Sequence, residues 1–325
     1  MPLGYNQVLG EMAKPEAMRP HRVGLASWPT SREEARTRSL EALLAHTAGS
    51  GYEGTEWSPV TVSRYFPGDS PPVMARKARR AIERSGLVNF GSALHFQDGM
   101  LRQNGWQQTV IDQFKLTQDM GGEYATVQFF LLEDYLNTGG AYREDEAYLR
   151  WCADRVTAMR GAAWEMGLNF YLEVHIDRIT EDPAACCRIL ELASCELNGD
   201  LSHLLYRGIT RGQYAQKILK HVNHTHVRLA RVHGDLSAAA DDPAADWANG
   251  GVTWQIFELM KPVLATGLSS RAILGETGMM HLVTDTLTQD AALVPLYRAM
   301  ARFADAGAQG IAIKVNNPED LKPWG

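Results

Sequence analysis

The chain has 325 residues, 45% hydrophobic and 22% charged, with a formal charge of -6. That length suits one large α/β barrel or two ordinary domains, and the composition is that of a globular protein with no low-complexity tract. The acidic balance and the scattered Lys/Arg exclude nucleic acid as a first expectation. Membrane and secretory readings are set aside too: no run approaches the roughly 20 apolar residues that span a bilayer, and no basic segment precedes an apolar core at the N-terminus.

Residues 1–20 are punctuated by proline and are expected to form an N-terminal arm. Arg22 to Trp28 reads as a first strand stopped by Pro29, and the next helix carries Leu40, Leu43 and Leu44 to Gly49-Ser50-Gly51. Gly54 to Trp57 is a short second strand, followed by a Pro/Gly-rich loop to Pro72 and a basic amphipathic helix from Met74 to Arg84. Leu87 to Phe96 and Tyr124 to Leu131 are the third and fourth strands, with a helix around Ile111 to Met120 between them. A long helix, Glu144 to Glu165, leads to the fifth strand, Phe170 to His175. Asp182-Pro183 opens the next helix, Cys195 to His203 holds the sixth strand, and a helix around Gln213 to Lys220 follows. Thr225 to Ala230 is the seventh strand, Val252 to Leu264 a helix, Arg271 to Glu276 the eighth strand, and Asp290 to Ala306 the last helix.

Strands and helices that alternate at this spacing predict a single (β/α)8 TIM barrel over 21–306, because parallel neighbours need crossover helices and right-handed crossovers close the sheet. The segment 307–325, with Ile311-Ala312-Ile313 and Trp324, is expected to be a C-terminal tail packed on the barrel or on a partner subunit in a homo-oligomer. Cys152, Cys186, Cys187 and Cys195 form no CxxC pair and are read as reduced thiols of a cytoplasmic protein.

Barrel enzymes build their sites at the C-terminal ends of the strands, where this chain places Glu173 and His175, Asp200 and His203, His226 and Arg228, and Glu276. Glu173 and His175 are two apart, so on a strand both leave the same face. Three carboxylates and an imidazole converging on one mouth repel unless a cation lies between them, and oxygen ligands with one nitrogen suit Mn²⁺, Mg²⁺ or Co²⁺. His224 competes with His226, being in phase on the same strand. His95 is a candidate for the pocket lining; Trp28, Trp57 and Phe130 could stack on a sugar face or pack in the core. Arg178 is open between a substrate contact and a solvated pair with Asp177 or Glu181.

The run Leu172-Glu173-Val174-His175, then Thr180-Glu181-Asp182-Pro183, then Asp200-Leu201-Ser202-His203, His226, and Gly275-Glu276 resembles the xylose isomerase-like TIM barrels, the superfamily of sugar isomerases/epimerases and AP endonucleases. The resemblance covers Val23 to about Ala306. It implies that Glu173, Asp200, His226 and Glu276 hold one divalent metal, Mn²⁺ first, with Mg²⁺, Co²⁺ or Zn²⁺ as the others. It also implies that Glu173 and Glu276 act as the acid/base pair beside a metal-bound carbonyl, and that His203 and Arg228 contact substrate oxygens. The DNA-repair branch needs several further His ligands, whereas Gln128 stands where one would be wanted, so nuclease activity is not expected. No Gly-rich phosphate loop follows the seventh strand, so a phosphorylated sugar is not required.

The implied activity is isomerisation or epimerisation of an unphosphorylated ketose or keto-sugar by proton abstraction next to the carbonyl. A lyase of the same architecture, an inosose dehydratase or a 3-keto-glycoside elimination enzyme with His175 as base, is the alternative. An inactive sugar-binding or partner subunit is a second alternative.

Overall fold

The computed structural model describes residues 23–26, 39–49, 54–129, 141–176, 178–200, 203, 218, 221–227 and 282–284. The chain divides into two compact units, Gly24–Asn198 and a second composed of Met1–Val23 with Gly199–Gly325.

The first unit is a parallel sheet with strands in chain order: β1 (Val23–Ala26), β2 (Gly54–Glu56), β3 (Val88–Phe96), β4 (Tyr124–Phe129), β5 (Asn169–Glu173) and β6 (Glu196–Asn198). Parallel neighbours require a crossover, and helices supply it: α1 (Leu40–Gly49), α2 (Pro59–Ser63), α3 (Pro71–Arg84), α4 (Asp98–Leu101), α5 (Trp106–Asp119), α6 (Glu146–Glu165) and α7 (Pro183–Ala193). This is the βα repeat that the sequence predicts.

Every residue of β4 is buried, as expected of a strand covered on both faces. Behind the sheet, Phe114 of α5 packs edge-on to Phe170 of β5, with ring centroids 6.5 Å apart. Trp151 of α6 packs against Phe129 of β4 at 5.7 Å. Close approach at the sheet needs glycine in two places. A Cβ on Gly54 would lie 2.3 Å from the Phe90 ring, and one on Gly91 would lie 2.6 Å from the Tyr124 ring.

The boundaries correct the sequence reading in particular ways. The stretch taken as a loop from Ser58 to Pro72 contains α2, and α3 begins at Pro71 rather than Met74. Both helices open with a Ser in extended backbone followed by proline, a residue preset for the first helical position. Asp182 caps α7 as expected, its Oδ1 accepting from Ala184 N at 3.0 Å and Ala185 N at 2.9 Å. The fifth strand stops at Glu173, two residues short of His175.

In the second unit, the strand placed at Thr225–Ala230 begins earlier, as β7 (Val222–Val227). Its hydrogen-bonded neighbour is β8 (Leu282–Thr284), with His226 opposite Val283. The eighth strand was expected at 271–276; the strand found beside β7 lies later in the chain, and 271–276 fall outside the described residues. The expected helices at 213–220, 252–264 and 290–306, the arm and the tail also lie outside them, apart from Ile218.

Cys152, Cys186 and Cys195 are buried, Cys187 is half-buried, and none forms a disulfide. Burial pushes the Cys152 thiol up and the Cys195 thiol up to about 12, so both behave as small apolar residues. No described helix is long and apolar enough to cross a membrane.

Candidate functional site

Strand register assembles a polar layer within the first unit. His95 lies opposite Gln128, Val127 opposite Leu172, and Glu173 opposite Asn198, so His95, Gln128, Glu173 and Asn198 occupy one level at the C-terminal ends of β3 to β6. Gln128 is the link in this layer. Its Nε2 donates to Glu173 Oε1 at 2.9 Å, while its Oε1 lies 3.0 Å from His95 Nδ1 and accepts from Arg178 Nε at 3.3 Å and Nη2 at 3.2 Å.

The charges fix the orientation of that amide. Turning it over would set its oxygen against a carboxylate and its NH₂ against a guanidinium. With Oε1 held toward His95, Nδ1 must be the protonated nitrogen and Nε2 carries the lone pair. Burial holds the His95 imidazole below its ordinary pKa, although the charge on Glu173 pulls it up, so the ring is kept as a neutral acceptor.

Glu173 is 2% exposed and Arg178 is buried with it. The solvated role offered for Arg178 is therefore overturned: its guanidinium points inward and braces Gln128. The loop after β5 is tied back to the strand, since Thr180 Oγ1 donates to the Glu173 carbonyl at 2.7 Å and accepts from His175 N at 3.2 Å. His175 lies past the end of β5 rather than on the strand, and still brings a ring nitrogen within 4.8 Å of a Glu173 carboxylate oxygen. Its position is set by this loop, and its Nδ1 donates to the Ile176 carbonyl at 2.7 Å, which leaves the lone pair on Nε2.

Four residues below His95 along β3, Gly91 lies opposite Glu56 on one side and Tyr124 on the other. Because Gly91 has no side chain, the Tyr124 phenol crosses over it and donates to Glu56 Oε2 at 2.7 Å. Asn198 Nδ2 similarly reaches Thr126 Oγ1 at 3.0 Å. Glu56 is 1% exposed, and sequence reasoning missed it as a site residue. The one local signal was a carboxylate at the end of a short expected strand, without the apolar run that precedes Glu173. Trp57 is buried and packs edge-on to Tyr65 at 6.1 Å, with an indole Nε1 that meets no acceptor among the described residues.

In the second unit, Asp200, His203, His224 and His226 are all buried. His203 Nε2 lies 3.2 Å from Asp200 Oδ2, an arrangement that the three-residue spacing past β6 allows. Gly199 N donates to the His224 carbonyl at 2.9 Å, and a Cβ on Gly199 would meet Val222 at 2.9 Å, so glycine permits this pairing. His224 and His226 point to the same side of β7, ring centroids 5.2 Å apart and edge to face. Trp28, Phe130, Arg228 and Glu276 lie outside the described residues. Glu56, Glu173, Asp200, His175, His203, His224 and His226 all have the chemistry of ligands to a divalent ion.

No family model matches the chain, and no curated protein matches its sequence. Its fold does match solved structures. The 3-keto-D-glucoside 4-epimerase of E. coli is 14% identical, with a TM-score of 0.54 over 87% of this chain and 98% of that one. A probable 3-DHS dehydratase involved in petrobactin synthesis in Bacillus anthracis is 11% identical, with a TM-score of 0.56 over 84% and 98%. The IOLI protein, whose structure was determined with a bound zinc atom, is 15% identical, with a TM-score of 0.54 over 89% and 95%.

Proposed function

From a fold shared with xylose isomerase-like proteins, including sugar isomerases and epimerases, we propose that the chain is a divalent-metal-dependent sugar isomerase or epimerase of the cytoplasm. Its eight strands close into one barrel, and its substrate is an unphosphorylated ketose or keto-sugar. The observation that carries this reading is the buried layer His95–Gln128–Glu173, in which a carboxylate is held in a fixed orientation at the C-terminal end of a parallel strand.

Glu173, Asp200, His226 and Glu276 would hold the metal, Mn²⁺ before Mg²⁺, Co²⁺ or Zn²⁺. The donor chemistry fits: the described members are two buried carboxylates and a buried imidazole, and a buried carboxylate is costly without a cation or strong donors nearby. Such an ion, when bound, supplies polarisation of the substrate carbonyl.

The chain's own residues move the proton. Glu173 takes the hydrogen from the carbon next to the carbonyl as a proton, and the C–H electron pair passes into the carbonyl, giving an enediolate. Glu276, protonated, returns a proton to the same carbon from the opposite face, which inverts it. Return to the neighbouring carbon gives the isomer instead, and the two carboxyls regain their starting states by exchange with solvent. Gln128 keeps the Glu173 carboxylate from rotating away, while His95, His203 and Arg228 orient substrate hydroxyls.

The second reading is elimination, and His175 favours it. Its Nδ1–H is committed to the Ile176 carbonyl, so a base there would act through Nε2, and the fold also matches a dehydratase. Incubation with Mn²⁺ and keto-sugars in D₂O separates the two. Deuterium on a carbon flanking the carbonyl, without loss of water or aglycone, is the expected result; release of a leaving group favours elimination. A protein that exchanges no proton under any divalent ion would leave only a binding role.

A further inference from the structure

Beside His95, at the C-terminal end of β3, lies a cavity of about 340 Å³ that the proton-transfer reading does not use. Leu94, Phe96, Pro59, Val60 and Met100 give it apolar walls; Ser58 and Gln97 add polar groups, Thr109 and Gln113 of α5 stand at its rim, and His95 supplies its one imidazole. It is roughly twice the size of an apolar cavity of about 150 Å³ that accommodates benzene, and it falls at the small end of ligand pockets.

Alternation along β3 explains how one strand serves both places. Leu94 and Phe96 leave the face opposite to His95, yet all three border the cavity where the strand ends. Hydroxyl-rich sugar rings do not need the apolar part of this lining, because a hydroxyl set against Leu94, Phe96, Val60 or Met100 would lose water without gaining an acceptor from them.

We propose that this cavity is the subsite for an apolar, ring-sized substituent carried by the sugar, so the substrate is a substituted glycoside rather than a bare ketose. The proposal rests on the reading that the sugar binds at the His95–Gln128–Glu173 layer. The substituent passes His95 and lies against Phe96 and Met100, while the polyol stays among the hydrogen-bonding groups. The pocket thereby selects substrates by what they carry away from the reacting carbon.

The test compares phenyl β-D-glucopyranoside with methyl β-D-glucopyranoside as probes of the full chain, by calorimetry and saturation-transfer NMR. The phenyl glycoside is expected to bind about tenfold tighter or more, with its ring protons taking up the strongest saturation. Thr109→Trp, a change at an exposed rim position outside the hydrogen-bonded layer, fills the cavity and should bring the phenyl affinity down to the methyl value. Thr109→Ser should retain the preference, which guards against a merely misfolded first variant. Equal affinities, no binding by either probe, or a preference that survives Thr109→Trp would overturn the proposal. If deuterium exchange on keto-sugars persists without a phenyl preference, only the subsite fails. If the preference holds but no keto-sugar exchanges, only the reaction fails.

Discussion

Removing the Gln128 amide tests the candidate site at its link. Gln128→Leu keeps the volume approximately but deletes the donor to Glu173 Oε1 at 2.9 Å and the acceptor for His95 and Arg178. Three of those four hydrogen bonds involve charged groups, each worth about 1.5 to 3 kcal/mol net when buried, and the ions that remain are left poorly solvated. Because the bonds share one amide their losses do not add fully, so a destabilisation of about 3 to 5 kcal/mol is expected. Urea unfolding measures it, with the midpoint falling and the slope unchanged.

Gln128→Glu probes the same link through charge. A second carboxylate against Glu173 disfavours ionisation of both, so the acidic limb of the exchange rate in D₂O should move to higher pH. A Gln128→Leu protein within about 0.5 kcal/mol of the parent, the range of an ordinary surface change, would refute the reasoning. So would a Gln128→Glu profile that does not move.

Three further outcomes follow from the same geometry. Burial lowers the His95 pKa below 6.5, so the unfolded chain takes up a proton there that the folded chain resists. Stability from this residue is full above pH 6.5 and is lost as pH falls from 6.5 through the folded value. His95→Asn should therefore flatten the stability curve from about pH 7 to about pH 5, and an unchanged slope would contradict the account. Tyr124→Phe removes the donor to buried Glu56 and should cost about 1.5 to 3 kcal/mol by chemical denaturation. Gly91→Ala, whose new methyl would meet the Tyr124 ring at 2.6 Å, should cost at least about 1 to 3 kcal/mol; a neutral result for either would mean that the phenol does not need this path.

Apolar runs made much of the first unit legible in the sequence. Phe170 to Leu172 announce β5 and deliver Glu173 to its end, and the βα alternation follows from where such runs recur. What was not legible depended on non-local partners or on polar strand residues. Glu56 is a candidate whose surroundings depend on Tyr124, far along the chain, which reaches it over Gly91. Gln128 counts because it bridges three side chains from β3, β5 and the loop beyond, a relation that no periodicity displays.

The start of β7 was misjudged because Val222-Asn223-His224-Thr225-His226 hides a strand behind polar side chains; the alternation is present, but its buried members are imidazoles. Glu173 and His175 do meet, within 4.8 Å, but not by strand alternation: β5 ends between them, where Thr180 takes over the backbone.

The most direct test of the account is metal content. Protein stripped with chelator, reloaded with Mn²⁺ and freed of excess ion should retain one Mn²⁺ per chain by mass spectrometry of the metal. Glu173→Gln, Asp200→Asn, His226→Asn and Glu276→Gln should each lower its affinity by about tenfold or more, with deuterium exchange falling in parallel. A parent chain that retains no divalent ion, or four variants that retain it as the parent does, would contradict the claim that these side chains share one cation.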